Sequence, residues 1–287
     1  MINKKGVRKM NFMKTVFLLG LLTVLLVMLG GYIGGSQGAM FFFLIALALN
    51  FSSYWWSDKI VLTMYRAQPV SESDAPELYS IVRELAQRAN LPMPRVYIVP
   101  ESRPNAFATG RNPKHAVVAV TEGILRLLNK EELSGVIAHE LSHIKNRDIL
   151  IGSVAATIAG AIAMLANILR WSFMFVGSGR RRDDNALGLL VLSILAPIAA
   201  LIIQMAVSRA REFQADAGAA SITGSPDGLA SALRKLELSV RRNPVVGGSP
   251  ATAHMFIVNP FKKDFFTSLF STHPSTEQRI ERLMSLR

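Results

Sequence analysis

Four stretches of this chain run apolar for longer than a soluble helix needs. Thr15 to Ile33 carries no charged residue over about 19 positions, enough at ~1.5 Å per helical residue to span most of a bilayer's hydrocarbon. Ala39 to Trp56 follows almost at once and ends in Tyr54, Trp55 and Trp56, rings suited to the headgroup level. Ile149 to Leu169 and Ala186 to Val207 are each about 20 residues long and free of Asp, Glu, Lys and Arg. The pattern predicts an integral membrane protein with about four transmembrane helices in two hairpins. The competing reading makes the last two buried helices of a soluble domain, but their polar residues share no consistent face. Lys4, Lys5, Arg8, Lys9 and Lys14 precede the first run as a signal peptide's basic region would, yet the second run starts too soon and no cleavage site separates them, so a retained anchor is expected.

Between the apolar runs the periodicity changes. Ser73-Asp74-Ala75-Pro76 opens a helical pattern to about Asn90, with Leu78, Ile81, Val82, Leu85 and Ala89 on one face, and Leu91-Pro92-Met93-Pro94 stops it. Arg95 to Val99 and His115 to Val120 read as short strands, with Asn105 to Gly110 extended between them. Asn129 followed three positions later by Glu132 is a capping box, so a helix is expected from there through Asp148. Further helices are expected over 209–221, from Ser225-Pro226-Asp227 to near Arg242, and over 275–286. The expected fold is mainly α with a small β-sheet, an α+β zincin-like arrangement. It divides as an N-terminal transmembrane hairpin (1–56), a first catalytic part (57–148), a second transmembrane hairpin (149–207) and a second catalytic part (208–287).

The formal net charge of +12 admits two partners, nucleic acid or the anionic lipid surface. The basic residues flank the apolar runs and form no nucleic-acid recognition element, which points to the bilayer and away from nucleic acid. The basic start places the N-terminus in the cytoplasm, and two crossings return the chain there. The loop 170–185, with Arg170, Arg180, Arg181 and Arg182, runs against the positive-inside tendency unless that second hairpin is shallow or packed on protein. With no cysteine, disulfides, cysteine nucleophiles and cysteine metal sites are excluded, so any metal must use histidine and carboxylate.

His139-Glu140-Leu141-Ser142-His143 is an H-E-x-x-H sequence within the predicted helix. Residues four apart share a helix face, so both imidazoles can reach one metal while Glu140 sits beside it. The competing reading, two solvated surface histidines, fits poorly with the preceding Val136, Ile137 and Ala138. A catalytic zinc needs a third ligand and an open position. The metzincin extension is absent, because Asn146 and Ile149 stand where its glycine and third histidine would be. Glu212 and Asp216, four apart in Arg211-Glu212-Phe213-Gln214-Ala215-Asp216, are the better candidates, although such pairs commonly mark a solvated face. Their position strengthens the case: a membrane hairpin leaves and returns on one side, so the helices bearing His143 and Glu212 should emerge together. His115 and His254 read as ordinary loop or strand histidines.

The chain resembles the HtpX-type bacterial membrane metalloproteases, relatives of the CAAX prenyl proteases. The resemblance extends over nearly its whole length, through the double N-terminal anchor, Asn105-Ala106-Phe107-Ala108-Thr109-Gly110, HELSH, Ser208-Arg209-Ala210 with the Glu212 segment, and Thr272-His273-Pro274. It implies one zinc ion per chain on His139, His143 and Glu212, with Glu140 as the base that activates a water. Asp216 would orient a ligand histidine. Asn105, Ala106, Phe107 and Ala108 would form an edge strand that binds substrate by strand addition. His273, with Arg209 as a second candidate, would stabilise the oxyanion, although a structural hydrogen bond or ion pair suits either equally well.

The resemblance further implies an endopeptidase of misfolded or damaged membrane proteins, active in quality control and stress response, in the inner membrane with a cytoplasmic active site. A narrow processing protease for a lipidated peptide and a non-catalytic zinc-binding membrane scaffold are the alternatives. The scaffold would be expected to lack the base or a ligand, and all four residues are present. No sequence feature sets an oligomeric state.

Overall fold

The computed structural model describes residues 4–158, 208–242, 255–258 and 274–287. The first two apolar runs form one long helical element, α1 (Lys4–Trp55), broken at Gly34 and Gly35, where the latter takes a left-handed φ of 58°. That break folds α1 back on itself. A Cβ at Gly30 would stand 2.4 Å from the Gly38 carbonyl oxygen, so the arms touch backbone to backbone where two glycines face each other. Asn50 bridges them lower down, donating to Thr23 Oγ1 at 2.8 Å and to the Leu19 carbonyl at 3.2 Å. The arms, Met13–Tyr32 and Gly34–Trp55, are each long and apolar enough to cross a membrane. Phe17, Met28, Tyr32, Phe41, Leu44 and Phe51 remain exposed on their outer faces.

α2 (Ser57–Met64) leads into a four-stranded mixed sheet of β1 (Gln68–Pro69), β2 (Arg95–Val99), β3 (Ala106–Thr109) and β4 (Val117–Thr121), in spatial order β1-β2-β4-β3. β2 runs parallel to β4, and β3 pairs antiparallel with β4 in the register Ala106↔Val120 and Ala108↔Val118. β4 is buried on both faces, in keeping with its unbroken Val-Val-Ala-Val run. Val118 and Val120 join the main core, while Val117 and Ala119 pack with Val61, Leu62 and Phe107. Among the described residues β3 is an edge strand.

α3 (Pro76–Arg88) starts later than the sequence suggested, because Ser71 and Asp74 hydrogen-bond to each other in a separate turn and leave Pro76 as the first helical residue. After α4 (Glu122–Leu127), the capping box opens α5 (Lys130–Asn146) as expected, and Arg147 in the left-handed region closes it. α6 is described over Ile149–Ile158, and its Ile151, Val154, Ala155 and Ile158 pack on Leu18, Leu22, Leu26 and Ala46 of α1. The rest of the expected second hairpin, 159–207, lies outside the described residues.

α7 (Arg209–Thr223), α8 (Asp227–Arg242) and α9 (Thr276–Met284) are the remaining helices among the described residues, with α5 packed against both α7 and α8. Close approach sets that geometry. A Cβ on Gly135 would lie 2.5 Å from the Leu229 backbone nitrogen, and one on Gly218 would lie 2.4 Å from Ser142 Oγ. α5 thus sits at the centre, with the sheet on one side and α7 and α8 on the other.

Candidate metal centre

The capping box holds the start of α5: the Asn129 side chain accepts from the Glu132 N–H at 2.9 Å and Glu132 accepts from the Asn129 N–H at 3.0 Å. Three turns on, His139 and His143 present their rings edge to face with centroids 4.7 Å apart. α7 brings Glu212 to the same point. Its carboxylate oxygens lie 3.8 Å from His139 Nε2 and 3.6 Å from His143 Nε2, and the two Nε2 atoms are 3.2 Å apart. One donor atom from each residue falls within 4.8 Å of the others.

The far nitrogen of each ring faces a carboxylate. Asp216 Oδ1 lies 2.9 Å from His139 Nδ1, and Asp148 Oδ2 lies 3.3 Å from His143 Nδ1. Carboxylates in those places favour the tautomers that leave both Nε2 lone pairs free for a metal. Two imidazoles and one carboxylate, converging in this way, fit the donor set of a catalytic metal site with an open position. Burial works against charge on His143, but the Asp148 hydrogen bond and the nearby Glu212 and Glu140 outweigh it, and the imidazole is pushed up to about 9.

Glu140 is 7% exposed and its Oε2 accepts the Ala108 N–H at 2.8 Å. Burial raises its carboxyl above the usual range, against the pull of the two histidines and of the Ala108 N–H. Since the Ala108 N–H turns to Glu140 and away from β4, the edge of β3 opposite β4 faces the cleft. Of the segment 105–108, Phe107 and Ala108 line the cleft with His139, His143 and Glu212. Asn105 is committed to the neighbouring 255–257 segment, donating to the Met255 carbonyl and accepting from the Ile257 N–H, both at 3.2 Å. Phe107 also packs against Tyr65, with ring centroids 4.9 Å apart.

Sequence reasoning missed Arg279. This residue of α9 is 1% exposed and grips Asp216 with Nε at 2.9 Å and a terminal nitrogen at 2.6 Å, while its other terminal nitrogen donates to the Ile257 carbonyl at 2.9 Å. Burial raises the Asp216 carboxyl, but the charge of Arg279 and its hydrogen bonds with His139 and Arg279 outweigh this and hold it below the usual range. Arg209 is exposed at the start of α7, and it is Arg211 that lines the cleft with the ligands. His273 and His254 lie outside the described residues. His115 is exposed and contacts Asn112 and Arg111, away from the site.

Residues 72–287 match Peptidase family M48. The chain belongs to that family. Among its M48 relatives is "Protease HtpX homolog" of Syntrophobacter fumaroxidans, 55% identical over 277 residues, 95% of this chain and 98% of the relative. The homologue of that name in Thermococcus kodakarensis is 58% identical over 277 residues, 96% of each chain. A crystal structure of S. mikatae Ste24p aligns over 99% of this chain and 66% of its own with a TM-score of 0.49 and 16% identity, a likeness too distant to add to the assignment. M48 membership, near full-length identity with HtpX homologues and the converging His139, His143 and Glu212 make this a metal-dependent membrane protease of the HtpX type.

Proposed function

We propose that the protein is a zinc endopeptidase of the bacterial inner membrane that cleaves unfolded or misfolded polypeptides close to the bilayer. The observation that carries the chemistry is the meeting of His139, His143 and Glu212 within 4.8 Å, with Glu140 beside them. Bound by those three residues, zinc would supply a Lewis acid that polarises the scissile carbonyl and acidifies the attacking water. Glu140 takes that water's proton and passes it to the leaving amine, aimed by the Ala108 N–H. Asp216 and Asp148 fix the two rings. The open edge of β3, over Asn105, Ala106, Phe107 and Ala108, pairs with an extended peptide, an interaction that selects backbone and so suits unfolded chains. His273 is the group proposed to donate to the oxyanion.

For placement in the membrane, we assign the two arms of α1 as one hairpin and 149–207 as a second, giving four spans, with residues 57–148 and 208–287 together forming the catalytic unit. The basic N-terminus favours a cytoplasmic active site. Quality control under stress follows from this placement and from selection for unfolded backbone, with no nucleic-acid partner. Chelation followed by metal add-back tests the reading. Casein cleavage in detergent should stop when metal is stripped and return with one equivalent of zinc per chain; cleavage that persists in protein shown to hold no metal would contradict it.

A further inference from the structure

The cleft at the metal ligands is walled in part by Met255, Phe256 and Ile257, and the three are placed differently. Met255 is buried in the cluster of Val61, Phe107, Val117 and Ala119, whereas Ile257 is buried with Val258 in the main core. Phe256, between them, is partly exposed and lines the cleft with His139, Glu140, His143 and Glu212. A partly exposed aromatic residue at a cleft has apolar area left to bury, and such residues carry much of the affinity at binding surfaces.

Asn105 fixes this residue from both sides. Its side chain donates to the Met255 carbonyl and accepts from the Ile257 N–H, so it holds the two peptide groups that flank Phe256. A carboxamide carries donor and acceptor side by side, whereas a carboxylate only accepts. Asn105 is 2% exposed and is anchored in turn, its N–H donating to Thr121 Oγ1 at 2.8 Å and its carbonyl accepting the Thr121 N–H at 2.9 Å. Beyond Phe256, the Ile257 carbonyl accepts from Arg279, which grips the Asp216 that faces His139. Phe256 is therefore fixed between the residue that leads into β3 and the side chains that orient His139.

We propose that Asn105 is a positioning residue and that Phe256, which it fixes, is a specificity-determining contact for an apolar substrate side chain beside the scissile bond. This rests on the reading of the site as a peptidase cleft. The Asn105 side chain then serves substrate without touching it, because both of its polar ends are engaged by the 255–257 backbone. Contact with the aromatic ring favours an apolar side chain and disfavours a carboxylate, which would lose its hydration there. Loosening Phe256 and truncating it remove the same contact, so the two losses should not add.

The test measures kcat and KM separately on internally quenched peptides with Leu or Ala at each residue flanking the cleavage site, products being assigned by mass. Full-length protein in detergent is used for wild type, Asn105→Ser, Phe256→Ala and the double variant, each checked for metal content and melting temperature. With Leu at the preferred position, both single variants should raise KM by about tenfold and leave kcat within about threefold, the mark of a lost binding contact. The double variant should stay near tenfold, and with Ala there the four proteins should converge. Partial unfolding would instead leave fewer active molecules, lowering kcat and not KM. Asn105→Asp, which keeps acceptance from Ile257 and loses the donation to Met255, should give an intermediate KM and takes the place of Asn105→Ser if serine prevents folding. A wild-type KM in Phe256→Ala or in the folded Asn105 variant, KM effects that multiply in the double variant, or a loss confined to kcat overturns the proposal. Glu140→Gln run alongside separates the two readings. If it cleaves like wild type, the peptidase mechanism fails and the proposal with it; if it is silent and Phe256→Ala keeps the wild-type KM, only the proposal fails.

Discussion

Arg279 holds Asp216 with two nitrogens, at 2.9 and 2.6 Å, and Asp216 in turn stands 2.9 Å from the Nδ1 of His139. α9 thereby controls the orientation of His139, a candidate metal ligand borne on α5. Asp216→Asn should weaken metal binding by about 10- to 100-fold, with a smaller loss for Arg279→Lys, which keeps the charge but not the fork. Competition with a chelator of known affinity measures it.

Glu212 should be needed for tight metal binding, and its loss should be distinguishable from loss of the base. Glu212→Ala is expected to retain less than one equivalent of metal after dialysis, whereas Glu140→Gln retains it in full. Equal metal content in the two variants would remove Glu212 from the ligand set.

A proton and a metal compete for His143. Because Asp148 and Glu212 hold that imidazole's affinity for a proton up to about 9, metal uptake at pH 7 should release a proton. Apparent metal affinity should therefore rise by about tenfold per pH unit towards pH 9 and then flatten. Calorimetry in buffers of different ionisation enthalpy counts the proton, and Asp148→Asn should move the plateau to lower pH.

Glu132 ties the start of α5 to α8. Burial disfavours its charge, but hydrogen bonds from Lys235, Ser231 and the Asn129 N–H outweigh that and hold its carboxyl below the ordinary value of 4.5. A lowered folded pKa means the stabilisation is complete above pH 4.5 and is lost as pH falls through the lowered value. Glu132→Gln should cost about 1 kcal/mol at neutral pH, and the gap from wild type should close on acidification. Unfolding curves across pH 3–7 give the comparison.

Gly135→Ala should destabilise by about 1–3 kcal/mol, because the new Cβ would meet backbone atoms of Leu229 that cannot swing aside. The same change at exposed helical positions is stabilising, so the sign alone, read from the melting temperature, decides.

How much of this was legible depended on whether the interaction was local. Asn129 and Glu132 announced α5 because a capping box is written within four residues, and His139 and His143 could be placed side by side because their spacing matches the helix repeat. Glu212 and Asp216 stood as a candidate pair, and only the packing of α7 on α5 shows which of them faces both histidines. Arg279 could not be read at all, since it reaches Asp216 from 63 positions away and leaves no periodic mark. The two-residue β1 and the short helices α2 and α4 also went unread, being too brief for periodicity to show.

The central claim is that Glu140, held by the Ala108 N–H beside a metal on His139, His143 and Glu212, is the base for peptide hydrolysis. Its most direct test pairs metal content with casein cleavage for wild type and Glu140→Gln, both full length in detergent. We expect one zinc per chain in both proteins and cleavage by wild type alone, the variant slower by at least about 100-fold. Equal cleavage by the two proteins would contradict the account.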